Sequence, residues 1–313
     1  MDSPTNRKLM NRVLQTKGQG VFEETAYDVP PMGLDEICVR AVMTGVCRSD
    51  VDMMMGDFGP LPLGMQGHEG LGKVVGIGAN IKDVEFGDFV ATRGEPAYAD
   101  CYNVRKNEYV KVPEAHPRYI LEPVACGVNV VMQPIREIAE RSGPGKQLLI
   151  IGSGFLAWIA YHTLLLTHVD IDITVQGRSN ESIWRSVGVL LMEEPMGKFD
   201  VVIDLGSNTS VFDMDILRGQ ALVVFGAQKK VTTDFSNLLW KACTMIFPSP
   251  RTNRFHQCMK DAEQWIRNGD INIDSFWTKG YNRDTEWQQA FSDALTRPAG
   301  YSRGYIYWTN NGY

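Results

Sequence analysis

The chain has 313 residues, 44% of them hydrophobic and 22% charged, and a formal net charge of −6 at pH 7. That is the composition of a globular protein long enough to bury a core without staples. It excludes a general nucleic-acid or anionic-membrane binder, and no apolar run reaches the ~18 residues of a spanning helix.

The opening stretch from Met1 to Arg12 is polar and lacks the apolar middle of a signal peptide, so the expected location is cytoplasmic. The first third reads as β-rich. Ile37–Val42 and Lys73–Ile77 carry β-branched residues and end at turn formers, and Phe86–Val90 repeats the pattern of turn, then strand. Pro30-Pro31 and Pro60-Leu61-Pro62 mark loops. The texture changes after about residue 115. Lys146–Ile151 reads as an apolar strand, followed by a glycine turn and a helix over Phe155–Thr167. Further strands are expected at Ile171–Val175, Val201–Ile203, Ala221–Phe225 and Thr244–Phe247. Strands alternating with helices imply a parallel sheet covered on both faces, hence an α/β fold. The tail from Ile271 is mixed and closes on a strand at Gly304–Trp308.

Six cysteines, Cys38, Cys47, Cys101, Cys126, Cys243 and Cys258, form no C-x-x-C pair, so neither a zinc ribbon nor a redox dithiol is expected. Each reads first as a small buried hydrophobe. Only Cys47 and Cys126 have neighbours that argue for more.

Gly152-Ser153-Gly154-Phe155-Leu156-Ala157 is G-x-G-x-x-A between an expected strand and an expected helix. The first glycine permits a tight turn, the second lets backbone approach a pyrophosphate, and Ala157 lets helix and strand pack closely. An ordinary turn is the plainer reading of two glycines, but the strand-to-helix context favours a dinucleotide loop. The next strand leads into Gln176-Gly177-Arg178-Ser179, with no carboxylate. Arg178 and Ser179 suit a 2′-phosphate, so NADP(H) is expected over NAD(H); a solvated loop arginine is the alternative. Asp172 has the generic spacing of a ribose carboxylate but falls within the expected strand, and is set aside.

Two segments carry a metal pattern. Gly67-His68-Glu69-Gly70, continuing through Gly72 and Gly76 to Ile81, and Gly45-Val46-Cys47-Arg48-Ser49-Asp50 place a thiol, an imidazole and a carboxylate within a short span. Zinc takes all three donor types. Taken singly, the bland readings are a packed cysteine, a hydrogen-bonded histidine and a capping glutamate. Together the segments resemble the zinc signature of the medium-chain dehydrogenase/reductase superfamily, in the same order. The resemblance runs over nearly the whole chain. It implies a GroES-like catalytic domain over residues 1–118 and 272–313 and a Rossmann dinucleotide-binding domain over 119–271.

The resemblance implies one catalytic zinc per subunit, with Cys47 and His68 as ligands, Glu69 a direct or intermittent third, and Asp50 orienting the histidine from behind. Tyr119–Val124 resembles the E-P-L element of the polyol-dehydrogenase branch, which makes Glu122 a further ligand, directly or through water. Cys126, one helical turn on, is the alternative, and a charge suited to a helix N-terminus is the plain reading of Glu122. The family's four-cysteine zinc lobe has no counterpart, because Gly87-Asp88-Phe89-Val90 runs almost directly into Pro96–Tyr102. Relatives often carry histidine where Asp52 stands, which leaves Ser49 as first member of a proton relay and the cofactor ribose, Asp52 or water as its continuation. Arg303 stands where relatives often place a basic residue near the cofactor phosphates; a solvated tail charge is the alternative. Met53–Gly59 is expected to line the substrate pocket. The implied activity is hydride transfer between NADP(H) and an alcohol, a polyol or the matching carbonyl compound, in a dimer or tetramer. Two rivals remain: a zinc-free quinone or enone reductase of the same fold, and a non-catalytic nucleotide-binding interaction protein on this scaffold.

Overall fold

The structure is a computed structural model that describes residues 11–57, 66–206, 211, 215–227 and 236–309. Pro60-Leu61-Pro62 and the end of the Met53–Gly59 loop lie outside the described residues. The chain divides into two compact units, Met1–Pro123 with Ile273–Tyr313, and Val124–Asn272. No helix among the described residues is long and apolar enough to cross a membrane.

The first unit is mostly β-structure. A hairpin pairs β1 (Arg12–Thr16) with β2 (Phe22–Ala26). The larger sheet centres on β3 (Glu36–Gly45), whose one edge pairs antiparallel with β4 (Gly70–Ile77). Its other edge is shared. Residues 36–40 pair with β6 (Cys101–Arg105), and residues 43–45 pair with β14 (Arg303–Tyr307) from the far end of the chain. Beyond β4 lie β5 (Phe89–Thr92) and β7 (Tyr109–Val112), and β13 (Trp277–Asn282) runs parallel to β14. Inward residues Val13, Ile37, Val39, Ala41, Val90 and Tyr102 form one buried cluster. Among the described residues, two α-helices lie wholly in this unit: α1 (Arg48–Met54) closely follows β3, and α8 (Trp287–Thr296) sends Ala290, Phe291 and Ala294 into a second cluster with Leu14, Tyr98 and Ile306.

From its third residue onward, α2 (Glu122–Met132) belongs to the second unit. That unit is a five-stranded parallel sheet in the order β12–β11–β10–β8–β9. Its strands are β8 (Gln147–Ile151), β9 (Asp172–Gln176), β10 (Phe199–Asp204), β11 (Leu217–Phe225) and β12 (Thr244–Ile246). Every residue of β10 is buried, as a strand covered on both faces requires. A single parallel bridge, Gln176 to Met192, extends the sheet beyond β9. Helices α4 (Phe155–Leu166), α5 (Glu181–Ser186) and α6 (Ser236–Lys241) lie between successive strands of this sheet, while α3 (Ile135–Ala139) precedes β8 and α7 (Phe255–Asn268) follows β12. The order reverses at β8, whose neighbours are β9 and β10. In open parallel sheets the ligand crevice lies at such a switch point, outside the carboxyl ends of the strands.

The opposite end of this sheet is tied by Asp200. Its carboxylate accepts the Gln147 amide at 3.0 Å, Lys146 Nζ at 3.0 Å and an Arg218 guanidinium nitrogen at 2.7 Å. Burial alone would raise its pKa, but these three donors outweigh it and hold the carboxyl below its ordinary value. A depressed pKa gives stability that is complete above the ordinary carboxylate range and disappears as pH falls through the folded value. Asp200→Asn is expected to lose about 2 kcal/mol at neutral pH, the scale of hydrogen bonds to a charged group. Urea unfolding at neutral and strongly acidic pH checks this: the gap to wild type narrows in acid, and an unchanged gap would show that ionisation contributes nothing.

Candidate metal centre and dinucleotide loop

β3 ends at Gly45, and two residues later Cys47 takes an extended backbone (φ −86°, ψ 154°) as the N-cap of α1. Asp50, the third residue of the helix, accepts the Cys47 amide at 2.9 Å through Oδ2. The same oxygen accepts the Tyr98 hydroxyl at 2.7 Å. His68 and Glu69 arrive on the extended segment leading into β4. The Gly45 amide donates to the Glu69 carbonyl at 2.9 Å, and the Ala97 amide to that of Gly67 at 3.0 Å. Gly67 has φ +78°, and a Cβ there would stand 2.7 Å from the Tyr98 ring, so both backbone and space require glycine.

This arrangement brings one ligand atom each from Cys47, His68 and Glu69 within 4.8 Å of one another. Asp50 is fully buried, with Oδ1 3.8 Å from His68 Nδ1. That oxygen has no hydrogen-bond partner among the described residues. Burial is the main cause that raises the Cys47 thiol pKa; Glu69 and Asp50 add to it and His68 opposes it. Burial would lower His68, but Glu122, Asp50 and Cys47 overcome this and carry it well above its ordinary value. Thiol, imidazole and carboxylate packed this tightly, with surplus negative charge, are a donor set that fits a divalent cation such as zinc.

Glu69 has a second partner. Both its oxygens lie on one Arg303 nitrogen, at 2.6 and 2.5 Å, and the guanidinium sits 5.0 Å from the centre of the Trp277 ring. A Cβ on Gly45 would overlap the Glu69 carboxylate, so glycine there makes the room. Arg303, expected near cofactor phosphates, is thus held by Glu69 within the first unit. Asp52, expected to continue a proton relay, accepts Arg48 Nε at 2.8 Å one turn away on α1. Ser49 is the second residue of α1 and half-buried. Glu122 begins α2, is 3% exposed and lies outside the tight cluster, though its charge acts on His68. Cys126 is half-buried on the same helix and also lies outside the cluster.

In the second unit, Gly152 has φ +114° and donates its amide to the Gln176 carbonyl at 2.8 Å. Gly154 is the N-cap of α4, and no atom lies within 4 Å of where its Cβ would be. Phe155 and Ala157 are buried and Leu156 is half-buried along the first turn. The helix N-terminus therefore opens onto unfilled space, the arrangement that receives a phosphate. Ser153 knots this loop to the end of β9. Its hydroxyl accepts the Ser179 amide at 3.1 Å and lies 3.0 Å from the Ser179 hydroxyl. Its carbonyl accepts Asn180 Nδ2 and the Trp184 indole N–H, each at 3.0 Å. Gln176 ends β9, and Arg178 is exposed and pairs with Glu193 at 3.5 Å. Asp172 is the first residue of β9, at the far end of the strand from this loop, so it makes no part of it.

Residues 33–143 match the family model described as the alcohol dehydrogenase GroES-like domain. L-threonine 3-dehydrogenase of Pyrococcus horikoshii is 23% identical, covering 90% of this chain and 94% of its own. D-arabinitol dehydrogenase 1 of Uromyces fabae is 25% identical, with 88% and 91% covered. The fold is shared with Staphylococcus aureus TarJ, solved with NADPH: the TM-score is 0.74 at 19% identity, over 96% of this chain and 99% of that one. Residues 33–143 therefore carry an alcohol dehydrogenase GroES-like domain, and the likeness to TarJ shows the fold of the chain as a whole.

Four side chains that support these sites were not singled out from the sequence. Tyr98 anchors Asp50, Glu193 pairs with Arg178, and Trp184 with Asn180 holds the Ser153 carbonyl. Tyr98 stands in an Ala-Tyr-Ala run that offers only a buried-aromatic signal. Glu193 is fifteen positions beyond Arg178 in an irregular segment, and only the register of the sheet brings the two together.

Proposed function

We propose that this protein moves a hydride between NADP(H) and an alcohol or polyol, or the matching aldehyde or ketone, with one zinc ion held by Cys47, His68 and Glu69. Glu122 is the further ligand, directly or through water. The observation that carries the reading is the thiol, imidazole and carboxylate donors lying within 4.8 Å of one another. Zinc, when bound, supplies a Lewis acid for the substrate oxygen.

The chain's own residues do the rest. Tyr98 and the Cys47 amide fix Asp50, whose second oxygen stands 3.8 Å from His68 Nδ1 and favours that orientation of the ring by its charge. Arg303 offsets the charge that Glu69 adds to the cluster. Ser49 takes the substrate proton at its hydroxyl and passes it on through the cofactor ribose, Asp52 or water. Gly152 and Gly154 give the pyrophosphate its approach to the N-terminus of α4. Arg178 and Ser179 receive the 2′-phosphate. Hydride transfer itself is the cofactor's chemistry, which the protein positions.

The test is NADPH oxidation against a panel of aldehydes and ketones before and after chelation, with zinc counted on the same samples. The expected result is about one zinc per chain and turnover that is lost on chelation and restored by zinc. Turnover with no zinc after replenishment would favour a zinc-free quinone or enone reductase. Bound zinc and dinucleotide with no turnover on any substrate would favour a non-catalytic interaction protein.

A further inference from the structure

A 2′-phosphate needs a cation at the end of β9. The segment from Gln176 to Glu193 contains two basic residues, Arg178 and Arg185. Arg185 is engaged by Glu181 one helical turn away, at 2.6 Å. Arg178 is engaged by Glu193, Nε to Oε2 at 3.5 Å, with both side chains about three-quarters exposed (75% and 74%).

The backbone fixes Glu193 in this place. The Met192 amide donates to the Val175 carbonyl at 3.0 Å, and the Gly177 amide to that of Met192 at 2.9 Å. The Gln176 side chain donates to the Glu193 carbonyl at 3.1 Å. This rung of parallel pairing next to β9 sets residue 193 beside residue 178 whatever the side chains prefer. Arg178 is anchored from the other side, because the next residue, Ser179, is tied through its amide and hydroxyl to Ser153 in the glycine loop.

We propose that Glu193 is a built-in competitor for the 2′-phosphate: it occupies Arg178 in the free protein, is displaced when the phosphorylated dinucleotide binds, and so narrows the discrimination between NADP(H) and NAD(H). This rests on the assignment of Arg178 to the 2′-phosphate. An exposed ion pair is worth little, so the phosphate, with up to two charges and three acceptor oxygens, displaces the carboxylate and binds the guanidinium in its place. The loss is felt only by a ligand that needs Arg178. A dinucleotide without the 2′-phosphate leaves the Arg178–Glu193 pair intact.

The experiment measures dissociation constants of NADPH, NADH, 2′,5′-ADP and 5′-AMP by calorimetry on the full-length, zinc-loaded protein. The proteins compared are wild type, E193Q, R178Q and the double variant, at low and moderate salt. Removing an exposed competitor is expected to tighten NADPH and 2′,5′-ADP about three- to tenfold at low salt and less at moderate salt, with NADH and 5′-AMP changed less than about twofold. R178Q is expected to weaken NADPH about tenfold through the lost charge-assisted contact. In the R178Q background the E193Q gain should largely vanish. If R178Q weakens NADPH but E193Q leaves it unchanged, the competitor is overturned and the 2′-phosphate site stands. A full E193Q gain that persists without Arg178 also overturns it, in favour of simple repulsion. If R178Q treats NADPH and NADH alike, the assignment of Arg178 itself falls.

Discussion

Cys47→Ala and His68→Ala each leave a folded protein that retains little zinc, with NADPH-dependent turnover lowered by at least about a thousandfold, because Lewis-acid stabilisation is worth several kcal/mol and each 1.4 kcal/mol is tenfold in rate. The two residues come from different elements, the N-cap of α1 and the segment entering β4, and meet only in the folded first unit. Neither substitution removes a large core side chain, so far-UV circular dichroism should match wild type while the zinc content falls. Cys126→Ser is the control. Its sulfur lies outside the cluster, so zinc and turnover are expected to stay near wild type. A Cys126→Ser variant that lost its zinc, beside a Cys47→Ala variant that kept it, would reassign the ligand set.

The second large effect is expected at Arg303. Glu69 is fully buried, with both oxygens on the Arg303 guanidinium. Removing the cation leaves a buried anion without compensation, a change that typically costs about 3–5 kcal/mol. Arg303→Met, which keeps much of the apolar stem and removes the guanidinium over Trp277, should show that loss as a lower urea midpoint in chelator-treated protein. Zinc should recover part of it, since a divalent cation can take up the carboxylate charge. The double variant Arg303→Met, Glu69→Gln should recover more than half of the loss without zinc, because a neutral amide is cheaper to bury. A single variant within about 1 kcal/mol of wild type would mean that Glu69 is adequately solvated or paired elsewhere, since that is the range of exposed pairs.

The parts of the fold that could be read ahead of the structure share one property: their signal is local. β8, the glycine turn and α4 are a continuous apolar run, two glycines and a long helical stretch, and the structure has them at Gln147–Ile151, Gly152–Gly154 and Phe155–Leu166. The expected strands of the sheet appear at β9 to β12 for the same reason. β1, β2 and β13 were not legible. They are short, half-exposed strands of mixed composition such as Phe-Glu-Glu-Thr-Ala, and only their partners make them strands. The amphipathic helix α7 was legible in principle, since Phe255, Cys258, Met259, Ala262 and Ile266 recur at helical spacing on its buried face.

The site divides in the same way. Cys47, His68, Glu69 and Asp50 lie in two short motifs and meet as a cluster. The destination of Arg303 was not legible. Its sequence neighbourhood shows a basic residue on a late strand, whereas its partner is 234 positions away and is set by β14 joining the edge of β3. Glu193 was hidden for a similar reason, a single rung of pairing with no strand-like run to announce it.

The edge of β3 that β6 and β14 share has a consequence for biosynthesis. During translation, β3, β4 and β6 emerge together and can pair with one another, while the strand that completes the row, β14, follows only after the whole second unit. Until then Glu69 has no guanidinium to meet, and closing a loop of that length is slow. The nascent first unit therefore waits, with an open edge and an uncompensated carboxylate, until the second unit has been made and β14 can join β3.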